Sequence, residues 1–287
     1  MDATAAPASS PGASAAAAPV TPARRRAAFL DADGTIVEGG TYIPPSAVAA
    51  IRAARANGHL MFLSTGRGMA EITGPLWDIG FDGAVSNGGA FASVGDEIVA
   101  GTLLSAGEVA ELREYLEARG IHGYFQSYDE MYASEGLAEL MAERFETLGY
   151  PAKVFHDPTG FDPAAMAKLV FVTDDAAAAE QALTELGERF AVVGGTIPVA
   201  FAASGEVAPQ GVHKGAAILS ILSHLGIDPA DAIGIGDNWN DVEMFEVSGT
   251  AIAMGNAAPG VQALADQVTT AIDDDGIWNA FERNGLI

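Results

Sequence analysis

The sequence predicts an α/β fold, a doubly wound parallel sheet with a smaller α+β domain inserted into it. Three observations lead there. Short apolar runs at Ala27–Leu30, His59–Leu63 and Ala232–Ile235 are too brief for helices and read as buried strands. Segments with helical spacing stand between such runs, and strand–helix–strand units of this kind connect in a right-handed, parallel sense. Between them, roughly 100 residues change texture to hairpins and alternating strands, a suitable size for a separate unit.

Composition narrows the function classes. A chain of 287 residues with 49% hydrophobic content can bury the cores of two modest domains. Lys and Arg number 14 against 38 Asp and Glu, for a net charge of -24. A nucleic-acid backbone would be repelled, and a small anionic substrate would have to rely on local cations. The absence of cysteine excludes disulfides and thiolate metal sites. No apolar run is long enough to span a membrane. Residues 1–25 are dominated by Ala, Pro, Ser and Gly, which bury too little to fold, so a disordered tail is expected. Arg24, Arg25 and Arg26 could open an export signal, but Asp31 and Asp33 fall where its apolar region would have to run. A cytoplasmic protein is therefore expected.

The elements follow in order. Phe29-Leu30-Asp31-Ala32-Asp33-Gly34-Thr35 ends the first strand with two acids and a glycine that permits a sharp turn. Pro44-Pro45-Ser46 opens a helix carried by Val48, Ile51 and Ala54, which Asn57-Gly58 ends. The second strand runs into Ser64-Thr65-Gly66-Arg67. Ala84-Val85 leads to Ser86-Asn87-Gly88-Gly89, and a hairpin is expected over Ala90–Val94 and Ile98–Leu103.

The inserted unit is expected at 105–205. Glu108–Arg119 is amphipathic, Ile121–Tyr132 alternates as a strand does, and Leu137–Leu148 reads as a helix. Short strands are expected at Val154-Phe155, Leu169–Val172, Phe190–Val193 and Val199–Ala202, with a helix over Asp175–Leu186. The doubly wound pattern fills 26–104 and 206–287. Its second part has a helix at Lys214–Leu225, a strand ending in Gly236-Asp237-Asn238-Trp239-Asn240-Asp241, a strand at Ala251–Met254 and a last helix at Gly276–Phe281.

In an open parallel sheet, chemistry collects at the carboxyl ends of the strands. If the strands before Asp31 and Asp237 are neighbours, Asp31, Asp33, Asp237 and Asp241 meet at one edge. Hard oxygen ligands of this kind suit Mg²⁺, which takes a few carboxylates, water and a substrate phosphate. Thr65 and the N–H groups after it, at a helix start, offer an anion seat, and Lys214 could neutralise the remaining charge. Each feature also has a plain alternative: an Asp-Gly turn, a threonine N-cap, a surface ion pair, a helix-starting aspartate.

Taken together, the four motifs resemble the haloacid dehalogenase (HAD) superfamily, in its Cof-like phosphatase branch with an α/β cap. Asp31-Ala32-Asp33-Gly34-Thr35, Ser64-Thr65-Gly66-Arg67, Lys214-Gly215 and Gly236-Asp237-Asn238-Trp239-Asn240-Asp241 stand in the family's order, and the resemblance runs from about Arg26 to the C-terminus. It implies a Mg²⁺-dependent phosphatase acting on a small phosphorylated metabolite, a sugar phosphate or phosphorylated cofactor. Asp31 would be the nucleophile and Asp33 the general acid and base. Thr65, Gly66, Lys214 and Asn240 would hold the phosphate. The Asp31 carboxylate, the Asp33 carbonyl and Asp237 would bind the metal, with Asp241 in support. Asn87, in the turn before the cap, is a candidate to meet the substrate.

A phosphosugar mutase of the same superfamily is the alternative. It needs cap cations for a second phosphate, and here Arg113 can pair with Glu117 and Arg189 with Glu185 at i,i+4 spacing. Arg144 shares a turn with other acids, which leaves Lys153 and Lys168 unassigned. A non-catalytic phosphate sensor is the third reading, although no carboxylate is missing. On the alternating strand, Ile121 and Phe125 are expected to pack against both cap helices. His122, Tyr124, Gln126 and Tyr128 share the other face, where Tyr124 and Gln126 could meet the substrate.

Overall fold

The computed structural model describes residues 25–72, 74–148, 153–195 and 201–287. In chain order the core begins with β1 (Ala27–Leu30), α1 (Pro45–Ala56), β2 (Leu60–Ser64), β3 (Gly83–Ser86) and the hairpin β4 (Phe91–Val94) and β5 (Glu97–Gly101). The second unit comprises α2 (Ala106–Glu117), β6 (His122–Gln126), β7 (Met131–Ala133), α3 (Leu137–Leu148), β8 (Lys168–Thr173), α4 (Ala176–Gly187), β9 (Ala191–Gly194) and β10 (Ala203–Ala208). The chain then returns through α5 (Lys214–Leu225), β11 (Ala232–Gly236), α6 (Val242–Val247), β12 (Thr250–Ala253), α7 (Pro259–Gln262), β13 (Gln267–Val268) and α8 (Gly276–Arg283).

The core sheet has the order β13-β12-β11-β1-β2-β3-β4-β5. It is parallel from β13 to β3 and antiparallel in the β3-β4-β5 meander. Strand alternation sends successive β1 residues to opposite faces. Ala28 and Leu30 pack with Ile51 of α1 and Phe281 of α8. Ala27 and Phe29 pack with Ile218 and Ile221 of α5 and with Met244 of α6. Phe29 stacks on Phe62 of β2 with centroids 5.0 Å apart. Helices on both faces make the sheet doubly wound, as predicted.

The second sheet, β7-β6-β8-β10-β9, is antiparallel throughout. Its last strand ends at Ala208, past the expected boundary at 205, because Glu206 and Val207 still pair with β8. Val154-Phe155 forms no strand. The strand expected at Val199–Ala202 lies partly outside the described residues, and β10 starts at Ala203. The tail up to Arg24 is likewise outside them.

The cap helices do not all sit on one face. Val109, Leu112 and Leu116 of α2 join Ile121 and Phe125, together with α4. Leu137, Met141 and Phe145 of α3 instead cover the opposite face, over Tyr124, Val170 and Val172, and Leu148 is exposed. No described helix is long and apolar enough to cross a membrane.

Candidate active site

The site forms where β1 and β11 end side by side. Their parallel register pairs Leu30 with Ile235, so Asp31 and Asp237 leave the sheet as neighbours. Gly34 adopts φ +90°, and a Cβ there would stand 2.2 Å from an Asp237 carboxylate oxygen. Only glycine lets the first turn pass this close to the second acid. Thr35 donates its hydroxyl to Asp237 Oδ1 at 3.2 Å.

Lys214 opens α5 and enters this edge from below, with its side chain 1% exposed. Its Nζ donates to Asp31 Oδ1 at 2.5 Å and to Asp241 Oδ1 at 2.6 Å. The other oxygen of Asp241 accepts the backbone N–H groups of Asp237 and Asn238, at 3.0 and 3.1 Å. Both Asp241 oxygens are therefore committed to the chain itself, which matches a supporting place beside a metal better than a ligand's place. Asn240, in the same turn, keeps a buried Oδ1 with no hydrogen-bond partner among the described residues.

Three carboxylates and one ammonium share this edge, Asp31, Asp241 and Lys214 buried and Asp237 half-buried, and the charges do not balance. Burial first, then Asp241, pushes the Asp31 carboxyl well above the usual carboxylate range, although Lys214 pulls it back. Burial and Asp241 push Asp237 up to about 6. Burial works against the Lys214 charge, but Asp241 and Asp31 more than offset it and hold its pKa above the ordinary lysine value. Oxygens of Asp31, Asp237 and Asp241 approach within 4.8 Å of one another. An all-oxygen donor set with excess negative charge fits a hard divalent cation.

Asp33 lies outside the pocket, its side chain 51% exposed. Arg67 grips it with two nitrogens, Nε to Oδ2 at 2.9 Å and Nη2 to Oδ1 at 2.5 Å. Thr65 is buried at the end of β2, and its Oγ1 accepts the Arg67 N–H at 3.1 Å. Gly66 follows, at the border with the cap.

The residues expected to meet a substrate fall in three different places. Asn87 is fully buried at φ +52° and donates to the Ser127 carbonyl at 2.9 Å, tying core to cap. Gln126 is buried and donates to Glu71 Oε2 at 2.6 Å. Tyr124 is 2% exposed and packs under α3 and against Phe155, with centroids 5.4 Å apart. It does not line an open face, which corrects the expectation for that strand: α3 needed an apolar platform, and the Tyr124 ring provides it.

The cap cations are also placed differently. Arg113 does approach Glu117, at 4.0 Å. Arg189, however, pairs with Glu111 of α2, and Glu185 pairs with Arg119 at 2.9 Å. Arg144 binds Asp174 at 2.6 Å. Lys153 pairs with Glu71 of the core, and Lys168 with Glu206 at 2.7 Å. Burial pushes the Glu71 carboxyl up, but Lys153, with Lys168 behind it, outweighs this and holds it below its usual range. Sequence reasoning gave no role to Thr35, Glu71 or Glu206, or to Arg67 beyond its motif. Their partners lie far away in the chain and leave no local spacing signal.

A family model described as haloacid dehalogenase-like hydrolase matches residues 28–281. The chain belongs to this family. It is similar to the phosphatase-named protein YkrA of Bacillus subtilis, 28% identical over 270 residues that span 90% of this chain and 97% of that protein. The 5-amino-6-(5-phospho-D-ribitylamino)uracil phosphatase YwtE of the same organism is 27% identical over 278 residues, covering 86% and 94% of the two chains. Among solved structures, a Geobacillus kaustophilus protein superposes with a TM-score of 0.79 at 28% identity, over 92% of this chain and all of that one. A HAD subclass IIB sugar phosphatase superposes at 0.77 with 26% identity, over 91% of this chain and all of that one. The HAD-like chain is thus an enzyme of the hydrolase class.

Proposed function

We propose that this HAD-like chain hydrolyses small phosphate monoesters through an aspartyl-phosphate on Asp31, with Mg²⁺ bound beside it. The observation that carries the reading is the Lys214 ammonium held between Asp31 and Asp241, under a turn that only glycine can form. One Asp31 oxygen is fixed by this bond, which orients the other for in-line attack on phosphorus.

Asp31 and Asp237, with the Asp33 carbonyl, would hold the cation. When bound it supplies the positive charge that lets an anionic carboxylate approach an anionic phosphate. Thr65, the Gly66 N–H, Lys214 and Asn240 would hold the phosphoryl oxygens and supply donors as charge develops. Asp33 then serves twice, protonating the leaving alkoxide and taking a proton from the attacking water. To do so it must swing out of the Arg67 fork, and its exposure leaves room for that movement.

A mutase would need free cap cations for a second phosphate. Lys153 and Lys168 are instead engaged with Glu71 and Glu206, which favours transfer to water. The substrate class, a sugar phosphate or phosphorylated cofactor, is supported by the similarity to a sugar phosphatase and to a phosphoribitylamino-uracil phosphatase. The test is phosphate release from a panel of such esters, with Mg²⁺ and with EDTA, alongside a bisphosphate sugar to detect phosphoryl return. Release of phosphate from one or more esters supports the reading. Isomerised sugar without release would replace it with the mutase.

A further inference from the structure

Three successive carbonyls of the loop after β2 are tied back by three separate donors. The Thr65 carbonyl accepts the Gly88 N–H at 3.0 Å, and the Arg67 carbonyl accepts the Asn87 N–H at 2.8 Å. Both donors belong to the core. The middle carbonyl, that of Gly66, accepts from the cap instead, from Lys168 Nζ at 2.6 Å.

The consequence passes through one rigid unit. The Gly66 carbonyl and the Arg67 N–H belong to the same planar peptide and point in opposite directions. Fixing the carbonyl therefore aims the N–H, which donates to Thr65 Oγ1 at 3.1 Å. A hydroxyl that is accepting on that side turns its own proton elsewhere, which keeps that proton available to a phosphate oxygen.

Lys168 is itself almost fully buried at the start of β8, and its charge is matched within the cap by Glu206 on β10, at 2.7 Å. Pairing with Glu206 alone would satisfy the buried ammonium's charge. The bond to Gly66 is additional, and it crosses from cap to core.

We propose that Lys168 is a positioning residue. From the cap it sets the Gly66–Arg67 peptide, and through that peptide the Thr65 hydroxyl, so the phosphate seat is complete only while the cap is docked. The inference rests on the reading of Thr65 as a phosphate ligand.

The test uses the full chain with Mg²⁺ and two probes: turnover of para-nitrophenyl phosphate, which needs no contact from the cap to its leaving group, and binding of inorganic phosphate by calorimetry. Lys168→Met is expected to lower kcat by about 100-fold, the usual cost of misplacing a reacting group by an ångström, and to weaken phosphate binding about tenfold, as loss of one well-aimed donor does. A double variant, Lys168→Met with Glu206→Leu, removes the stranded carboxylate and so restores stability if Lys168→Met alone folds poorly. It is expected to remain slow. Arg189→Met breaks an exposed ion pair within the cap, with Glu111, and is expected to stay within about threefold of wild type, as loss of a surface pair away from this loop allows.

A double variant with wild-type kcat and phosphate affinity would overturn the proposal, and so would an equal loss in Arg189→Met. If the wild-type chain binds phosphate but turns nothing over, the phosphatase reading fails and Lys168 is judged by phosphate affinity alone. If wild type binds no phosphate, both readings fall.

Discussion

Arg67 holds Asp33 through a bidentate pair, at 2.9 and 2.5 Å, at the mouth of a pocket where Asp31 and Asp241 are buried and Asp237 is half-buried. The residue expected to move protons is thus the one carboxylate of the set placed where it can swing. Asp33→Asn would keep the shape and remove the proton transfer. An alkyl phosphate, whose leaving alkoxide needs that proton, should lose more turnover than para-nitrophenyl phosphate. With the aryl ester, a burst of nitrophenolate should precede a slow steady state, because hydrolysis of the aspartyl-phosphate lacks its base. Stopped-flow absorbance and the ratio of the two kcat values would show this, and equal losses without a burst would remove Asp33 from the role.

Asp31→Asn should reduce kcat by about 10⁴-fold or more, as removal of a nucleophile does elsewhere. The fold should survive, since asparagine is nearly isosteric and the site holds one excess negative charge fewer. Residual turnover within tenfold of wild type, with an intact circular dichroism spectrum, would move the nucleophile elsewhere.

Lys214→Met should have two consequences. It raises the barrier by about 3–4 kcal/mol through loss of a preorganised charge. It also destabilises the fold by about 3–5 kcal/mol, because Asp31 and Asp241 remain buried without their cation. Denaturant unfolding and the rate per folded molecule, measured together, separate these. A stability loss alone would make the lysine structural.

Mg²⁺ should raise the melting temperature, and more so at pH 8 than at pH 5. The sign follows from Asp237, raised from 3.8 to about 6 by burial and by Asp241. Between those values the metal-free fold binds more protons than the unfolded chain, so this group's contribution is fully present below about pH 4 and is lost as pH rises through about 6. Above that, the ionised pair is uncompensated until a cation binds, and protons compete with the cation below it. Thermal shifts across pH, with EDTA as the reference, would check this. A Mg²⁺ shift independent of pH would contradict it. Ca²⁺ should also bind but fail to support turnover, because it takes 6–8 ligands and relaxes the in-line geometry.

Tyr124→Ala and Gln126→Ala should behave differently. The first empties space beneath α3 and should cost about 3–5 kcal/mol of stability, as large-to-small changes in a core do, without altering the order of preferred esters. The second removes one donor from Glu71, which also accepts the Gly68 N–H of the loop bearing Arg67, and should alter that order. A reversal of these two effects would place the tyrosine, and not the amide, near the substrate.

Much of the catalytic edge was legible because it is local in sequence. Each acid sits within a few residues of the end of its strand, and parallel pairing of β1 with β11 then brings the two ends together. The cap was harder. Alternation along Ile121–Tyr128 shows that the strand has two faces, but not which helix covers which, since that depends on how α3 crosses back over the sheet. Ion pairs show the same limit. Spacing of four residues suggested Arg189 with Glu185, whereas the folded cap pairs Arg189 with Glu111 on another helix. Lys153 and Lys168 could not be assigned because their partners or contacts lie across the domain border.

The core sheet has a consequence for the way the chain is made. Arg26, just before β1, donates to the carbonyl of Asp231, just before β11, 205 residues later. The central pair of strands therefore cannot close until most of the polypeptide has left the ribosome, whereas the inserted unit is continuous and can collapse while synthesis proceeds. Until then β1 lacks one neighbour and offers an apolar edge to other chains. Loss of soluble protein during expression should consequently track mutations in β11 more closely than mutations in the cap.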